Sequence, residues 1–192
     1  MNFDRNHRIH TERVTSDYSK MGMIQAIYED AFPENERIHF EVFVGIADEG
    51  LFDLFSIVDG EIPVGLITSV PIDEKYVYIL YLATDSQYRG MGYGSKTLDY
   101  LRENDCKDKV LLACIEALNP EAGNYDERKA RARFYEKNGF YIYDNVMAFD
   151  GDGVQIICSN PDEAWDELKT IIDALEKEYD SYLETKENES NI

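Results

Sequence analysis

The fold of this 192-residue chain is decided by residues 76–96, which read YVYILYLATDSQYRGMGYGSK. The first nine residues are apolar on both faces, as expected of a strand at the centre of a sheet. Three glycines then follow at every second position (Gly90, Gly92 and Gly94), and the chain enters an amphipathic helix. Glycine lacks a Cβ, so backbone N–H groups can approach a ligand there, and the helix N-terminus adds the positive end of a macrodipole. The stretch therefore predicts a site for phosphate or pyrophosphate.

The motifs of two other phosphate-binding loops each differ from this sequence at one position. A Rossmann loop requires G-x-G-x-x-G, and counting from Gly90 and Gly92 places Ser95 where the third glycine should stand. A Walker loop requires glycine immediately before Lys-Ser/Thr, and Ser95 again occupies that position. A glycine-rich turn that binds no ligand is the structural alternative.

The spacing of apolar residues changes along the chain on either side of this stretch. It is first helical, then alternating, and finally helical and strand-like in turn. Before it, the pattern predicts two helices and an antiparallel meander, and after it helices and strands in alternation. The predicted helices are residues 15–32, 34–43, 94–102 and 127–138, and the predicted strands are residues 51–59, 63–72, 76–84, 110–115, 141–149 and 154–158.

The pattern Q/R-x-x-G-x-G/A, formed here by Gln87, Gly90 and Gly92, resembles the acyl-CoA-binding motif of the GNAT superfamily of N-acyltransferases. Residues 134–140, FYEKNGF, resemble a second signature of that family, a tyrosine followed by glycine and an aromatic residue at a helix end. The order of predicted elements from about residue 15 to residue 158 also agrees. The resemblance implies an α+β fold whose central sheet is mixed and mostly antiparallel, with splayed central strands and flanking helices. A further C-terminal helix lies outside the resemblance.

The resemblance also implies acetyl-CoA as co-substrate and assigns its binding residues. Pantetheine would lie between the splayed strands and pair with the backbone of Leu82, Ala83 and Thr84. The pyrophosphate loop would consist of Gln87, Tyr88, Arg89, Gly90, Met91, Gly92, Tyr93, Gly94 and Ser95.

The implied reaction is direct attack of an amine on the thioester through a tetrahedral intermediate. A backbone N–H near Leu82 would stabilise the oxyanion, and Tyr135 matches the family's usual proton donor to the departing thiolate. Glu116, at the end of a buried strand, is the candidate base, because an apolar mouth raises the pKa of a carboxyl. It could equally bind a cationic substrate or cap the turn that follows it, and a water relay is the alternative route for the proton.

The acceptor site is implied to lie against the first helices, where Glu29, Glu34 and Glu36 are candidate ligands. Many family members carry a glutamate on the strand before the loop, whereas this chain has Tyr78 and Tyr81 there. We therefore expect Tyr81 to line the acceptor site.

The formal net charge of −20 argues against nucleic-acid binding and slightly favours a cationic acceptor. No run of about 18 apolar residues predicts a membrane span. The three cysteines lack metal-ligand spacing, so we expect no metal, no disulfide framework and a reducing, cytoplasmic location.

Residues 1–158 are predicted to form the acetyltransferase domain, residues 159–183 a helical extension on the same domain, and residues 184–192 a flexible tail. The apolar stripe of the extension either packs in cis or forms a homodimer seam. The basic run at residues 128–133 is either a solvated helix face or a site for phosphate or an acidic acceptor. A catalytically silent acyl-CoA-binding sensor or regulatory module is the alternative to an N-acetyltransferase acting on a primary amine of a small molecule or peptide.

Overall fold

A computed structural model describes residues 9–34, 37–148 and 151–190 of the chain, with backbone only at residues 184 and 186–190. The predicted acceptor residue Glu36 lies outside this described part. The chain divides into two compact units, Met1–Ala113 and Cys114–Ile192. The boundary between them falls within a single strand.

The first unit is built on a sheet whose strands are β1 (Ile9–Arg13), β2 (Asp53–Asp59), β3 (Ile62–Pro71), β4 (Tyr76–Thr84) and the start of β5 (Val110–Glu116). They lie side by side in that order. Strands β1 to β4 form an antiparallel meander, and β5 is parallel to β4. The predicted meander and central strand are confirmed, and β1 is an additional strand that the sequence pattern does not predict.

The α-helices among the described residues of this unit are α1 (Met21–Ala31), α2 (Phe40–Asp48) and α3 (Tyr93–Glu103). Helix α1 begins later than its apolar spacing predicts, because residues 15–20 form turns in which the Thr15 hydroxyl donates to Asp17. The prediction of a helix over residues 34–43 is wrong in position. The buried residues of α2, Phe40, Phe43, Val44 and Ala47, continue the helical spacing beyond residue 43.

The second unit contains the end of β5 and then α4 (Tyr125–Lys137), β6 (Tyr141–Met147), β7 (Val154–Cys158) and α5 (Trp165–Ser190). Strands β6 and β7 form an antiparallel hairpin with an irregular register between Ile142 and Val146. Helix α5 buries Leu168 and Ile172, and it extends through residues that the sequence assigns to a flexible tail.

The predicted mixed α+β class is confirmed, with helices, antiparallel strands and the parallel pair of β4 and β5. Across the described ranges, no helix combines the length and the apolar character needed to cross a membrane.

Candidate active site

The edge of β4 that faces β5 is paired over only part of its length. Among the described residues, β4 and β5 are in register at three pairs, from Tyr76 with Val110 to Tyr78 with Leu112. Strand β4 continues to Thr84, whereas its register with β5 among the described residues ends at Tyr78. This edge offers backbone donors and acceptors to an extended ligand.

A β-bulge in β4 determines which backbone groups point toward that edge. The register with β3 passes from Thr68 opposite Tyr81 to Ser69 opposite Ile79, so that Leu80 is the extra residue. The Tyr81 N–H donates to the buried Thr68 hydroxyl at 2.8 Å, which directs Tyr81 toward β3. Because backbone groups of successive strand residues point to opposite edges, Leu82 points away from β3.

The same alternation directs Ala83 toward β3 and Thr84 away from it. A Cβ on Gly65 of β3 would lie only 2.4 Å from the Ala83 carbonyl oxygen, so only glycine permits this close approach. Of the three residues predicted to pair with pantetheine, Leu82 and Thr84 thus present their backbone outward and Ala83 does not. The sequence alone does not single out Gly65 or Thr68.

The glycine loop leaves β4 through a short 3-10 turn at Ser86–Tyr88 and enters α3. The Asp85 carboxylate accepts from the Gln87 N–H at 2.8 Å. The N–H groups of Tyr88, Arg89 and Met91 donate back to carbonyl oxygens within the turn. Those of Gly90 and of residues 92–95 have no acceptor among the described residues. The loop therefore presents five backbone donors, fewer than the continuous set that the sequence predicts.

Two of these donors depend on glycine conformations. Gly90 has φ +77 and Gly92 has φ +85, the left-handed region in which a side chain is strained. Gly92 is also the N-cap of α3, so the free N–H groups of the first helical turn follow it directly. Partial positive charge accumulates at such a helix end, which suits an anionic ligand.

The cations of the loop are held by neighbouring groups. The Arg89 guanidinium donates from Nη2 to Asp30 Oδ2 of α1 at 3.1 Å and from Nε to the Thr84 carbonyl at 3.3 Å. The Lys96 ammonium lies 5.2 Å from the centre of the Tyr93 ring. Arg89 thus links the loop to α1, although both partners of the Asp30 ion pair are about half exposed and contribute little stability.

The predicted acceptor residues lie on or near α1. The Tyr81 ring is half-buried and packs edge-on against Phe32 at 4.7 Å and Tyr28 at 5.6 Å between ring centroids. The exposed Glu29 accepts from Gln25, and Glu34 is exposed. The structure therefore brings Tyr81 into an aromatic cluster with α1, and it leaves Glu29 and Glu34 on the surface.

In the second unit, the Glu116 carboxylate is surrounded by donors. It accepts from Asn124 at 3.0 Å, pairs with Arg128 at 3.1 Å, and forms a shorter ion pair with Arg131. Arg128 is 10% exposed and also donates to Asp152 and to the Ala117 carbonyl. Arg128 therefore joins Glu116, Asp152 and the Ala117 carbonyl, and it is not part of a solvated helix face.

These partners determine the pKa of Glu116. Burial alone would raise the pKa, but hydrogen bonds from Asn124 and Arg131 and the charges of Arg131 and Arg128 outweigh it, so that the pKa lies below its usual value. This is opposite to the raised pKa expected of a general base in an apolar mouth. The carboxylate is ionised at neutral pH and engaged with two guanidinium groups.

We expect Glu116→Gln to lower the free energy of unfolding by about 1–2 kcal/mol at neutral pH, because it removes the carboxylate that pairs with both Arg128 and Arg131. The folded pKa is below the unfolded one, so this stabilisation is complete above the ordinary value of 4.5 and is lost as pH falls through the folded value. Urea unfolding of both proteins at about pH 7 and about pH 3 measures the difference.

The exposed Glu121, in the loop before α4, supplies the control. Glu121→Gln should change stability by less than about 0.5 kcal/mol at either pH. An equal loss for Glu116→Gln at the two pH values would show that the ion pairs do not supply the stabilisation.

Tyr135 is on the last turns of α4 and is 8% exposed. Its ring packs edge-on against Phe134 and Phe140, with centroids 5.0 Å and 5.3 Å away. Burial raises the pKa of Tyr135 to about 12, although the charge of Arg131, one turn earlier, acts in the opposite direction. Its hydroxyl is therefore protonated at physiological pH, as a proton donor must be.

Across the described ranges, no three or more His, Cys, Asp or Glu side chains are grouped to hold a metal ion. None of the three cysteines forms a disulfide, and Cys106 and Cys158 are buried.

Comparison with known proteins agrees with this geometry. Residues 50–142, which contain strands β2 to β4, the glycine loop, Glu116 and Tyr135, match the family model of the acetyltransferase (GNAT) domain. No curated protein is significantly similar to the chain in sequence.

Solved structures of the same fold are numerous. A GNAT-family protein from Bacteroides thetaiotaomicron has a TM-score of 0.72 and 24% identity, covering 86% of this chain and 95% of its own. An aminoglycoside 6'-N-acetyltransferase complexed with coenzyme A has a TM-score of 0.62 and 15% identity, covering 81% and 99% of the two chains. Arabidopsis thaliana Naa50, in complex with the bisubstrate analogue CoA-Ac-MVNAL, has a TM-score of 0.57 and 18% identity, covering 80% and 99%.

At these identities the structural likeness establishes the fold, and the family model independently identifies the domain. Residues 50–142 of the chain therefore match the GNAT acetyltransferase domain, and the fold is that of GNAT acetyltransferases.

Proposed function

We propose that the chain is an N-acetyltransferase that moves an acetyl group from acetyl-CoA to a primary amine. The observation that carries this proposal is the continuity of two stretches of backbone that offer N–H groups to a ligand. The outward edge of β4 leads directly into the five free N–H groups of the glycine loop. An extended amide-bearing ligand that ends in a pyrophosphate matches that order of groups.

The cofactor would be held mainly by backbone. Leu82 and Thr84 would pair with the pantetheine amides, and the N–H groups of Gly90 and residues 92–95 would bind the pyrophosphate. Coenzyme A in one structural relative and the bisubstrate analogue CoA-Ac-MVNAL in another support this assignment.

In the proposed reaction the neutral amine nitrogen attacks the thioester carbon. The oxyanion of the tetrahedral intermediate accepts a hydrogen bond from the Leu82 N–H, which points away from β3. Collapse of the intermediate breaks the carbon–sulfur bond, and Tyr135 protonates the departing thiolate. The nitrogen loses its proton to solvent, and solvent returns a proton to the Tyr135 phenolate.

The route of the amine proton is proposed to be a water relay. A free alkylamine has a pKa near 10, so it must lose a proton before it attacks. Glu116 is a weaker base than a buried, unpaired carboxyl would be, because its ion pairs stabilise the ionised form. Its proposed contribution is to hold Arg131 and Arg128 in place near Tyr135.

The acceptor is proposed to be a cationic small molecule or peptide amine, bound near Tyr81, Glu29 and Glu34. The net charge of −20 attracts such a molecule, and an aromatic ring is a favourable surface for a cation. Cysteines that form no disulfide suit a reducing, cytoplasmic setting, which is part of the same proposal.

The alternative is a silent acyl-CoA-binding module. One observation favours it: the ion pairing of Glu116 leaves the chain without an assigned base. Turnover with any acceptor would exclude this alternative.

Calorimetric titration with acetyl-CoA, followed by an amine screen that detects released thiol, tests the proposal. We expect one binding site, weaker binding of pantetheine (which lacks the pyrophosphate), and turnover with at least one polyamine, aminoglycoside, amino acid or peptide N-terminus. A folded protein that does not bind acetyl-CoA would contradict the proposal, and binding without turnover would favour the silent module.

A further inference from the structure

Tyr93 is the first residue of α3 and lies within the proposed pyrophosphate loop, yet its side chain points into the protein. It is 8% exposed, although its neighbours Met91 and Gly92 are exposed. Its hydroxyl donates to Asp59 Oδ2 at 2.5 Å. Asp59 ends β2, directly before the Gly60 turn, so the bond joins the start of α3 to the β2–β3 hairpin.

The backbone of the same residue is held by a second bond. The Thr97 hydroxyl, which is fully buried, donates to the Tyr93 carbonyl at 2.9 Å. Residue 93 is thus fixed at its side chain and at its carbonyl. Its own N–H is one of the five free donors of the loop.

Both ends of the loop pack against the Tyr93 ring. The Tyr88 ring meets it edge-on at 5.9 Å between centroids, and the Lys96 ammonium lies 5.2 Å from its centre. Residues 88 and 96 flank all of the free N–H groups. The Tyr93 ring is therefore held in place and contacts side chains from both ends of the loop.

The bond to Asp59 is of a strong type. A hydroxyl that donates to a carboxylate forms a shorter and stronger hydrogen bond than a neutral pair does. Burial, together with the Asp59 hydrogen bond and charge, raises the pKa of Tyr93 to about 12, so the donor keeps its proton. A loop held in its binding conformation before the ligand arrives loses less entropy on binding.

We propose that the Tyr93–Asp59 hydrogen bond is a positioning device that sets the affinity of the glycine loop for the pyrophosphate of acetyl-CoA. The inference rests on the proposed function and extends it to a residue pair that does not touch the reacting atoms. Removal of this hydrogen bond should therefore weaken cofactor binding and leave the rate of the chemical step unchanged.

The test compares Tyr93→Phe with wild type by calorimetric titration with CoA and by steady-state kinetics. We expect the Kd for CoA and the KM for acetyl-CoA to rise about tenfold, the size of one lost charge-assisted bond. The kcat at saturating acetyl-CoA and the KM for the acceptor should stay within about twofold of wild type.

Three further variants separate positioning from general destabilisation. Asp59→Asn retains an oxygen acceptor and should show a smaller effect than Asp59→Ala. The double variant Tyr93→Phe/Asp59→Ala should bind CoA no more weakly than Asp59→Ala alone, because Asp59→Ala already removes the bond to Tyr93. Tyr100→Phe, on the same helix, is the control, since its hydroxyl has no hydrogen bond to the residues that the structure describes.

Different outcomes contradict the proposed function and the positioning role of the Tyr93–Asp59 bond. A wild-type protein that does not bind CoA overturns both the proposed function and the positioning role. A wild-type protein that binds CoA, with unchanged affinity in folded Tyr93→Phe and Asp59→Ala, overturns the positioning role alone. A loss of kcat equal to the loss in kcat/KM also overturns it, because that pattern belongs to a residue acting in the chemical step.

Discussion

Gly92→Glu is expected to weaken acetyl-CoA binding by at least about 100-fold. Gly92 has φ +85 and is the N-cap of α3, so a side chain there extends from the centre of the free N–H groups. A carboxylate at that point competes for the donors and repels the pyrophosphate. At about 4 Å, with an effective dielectric constant of about 20, two like charges repel by about 4 kcal/mol.

A closely matched control exists in the same unit. Gly50 has φ +82, and a Cβ there would meet no atom within 4 Å, as at Gly92. Gly50→Glu therefore introduces the same charge and nearly the same backbone strain, about 1 kcal/mol, away from the loop. Calorimetric titration should show near-wild-type binding for Gly50→Glu, and equal losses in the two variants would attribute the effect to stability.

Tyr135→Phe is expected to lower kcat by about 100-fold or more while the Kd for acetyl-CoA changes little. Phenylalanine preserves the packing against Phe134 and Phe140 and removes only the proton donor. Because the pKa of Tyr135 is about 12, the donor keeps its proton throughout the range in which the acceptor amine becomes neutral. The wild-type kcat should therefore show no alkaline decline up to about pH 10 from this group.

Tyr141→Phe serves as the control, since Tyr141 is 46% exposed on β6. Rapid-quench or thiol-release kinetics at saturating substrates measure kcat for the three proteins. Retention of most of the wild-type kcat by Tyr135→Phe would contradict the assignment of Tyr135 as proton donor and transfer that role to solvent.

The meander, the central strand and the glycine loop are predictable from the sequence because their signals are local. An apolar run predicts β4, and glycines at alternate positions predict the loop. Strand β1 is not predictable in this way, because an edge strand with the sequence IHTER is mostly polar and acquires its identity from pairing with β2. Helix α2 is displaced because the boundary of an apolar pattern is its least specific feature.

The finer features of the site depend on residues that are far apart in sequence. Asp59 and Tyr93 are separated by 34 positions and meet only through the fold. The low pKa of Glu116 arises from α4, whose Arg128 and Arg131 look like an ordinary basic run in the sequence. Residue type and spacing indicate that a carboxylate lies at the end of β5, but its protonation state depends on which side chains pack around it.

The bulge at Leu80 has a consequence for how this protein can diversify. It separates the two tasks of β4: the Tyr81 side chain joins the aromatic cluster of α1, while the Leu82 and Thr84 main chain forms the outward edge. Under the proposed function, side chains determine which acceptor binds, and main-chain groups determine which cofactor binds. Mutation alters side chains readily and the main chain rarely, so this lineage can exchange acceptors by substitution at residue 81 and its neighbours while its acyl donor stays the same.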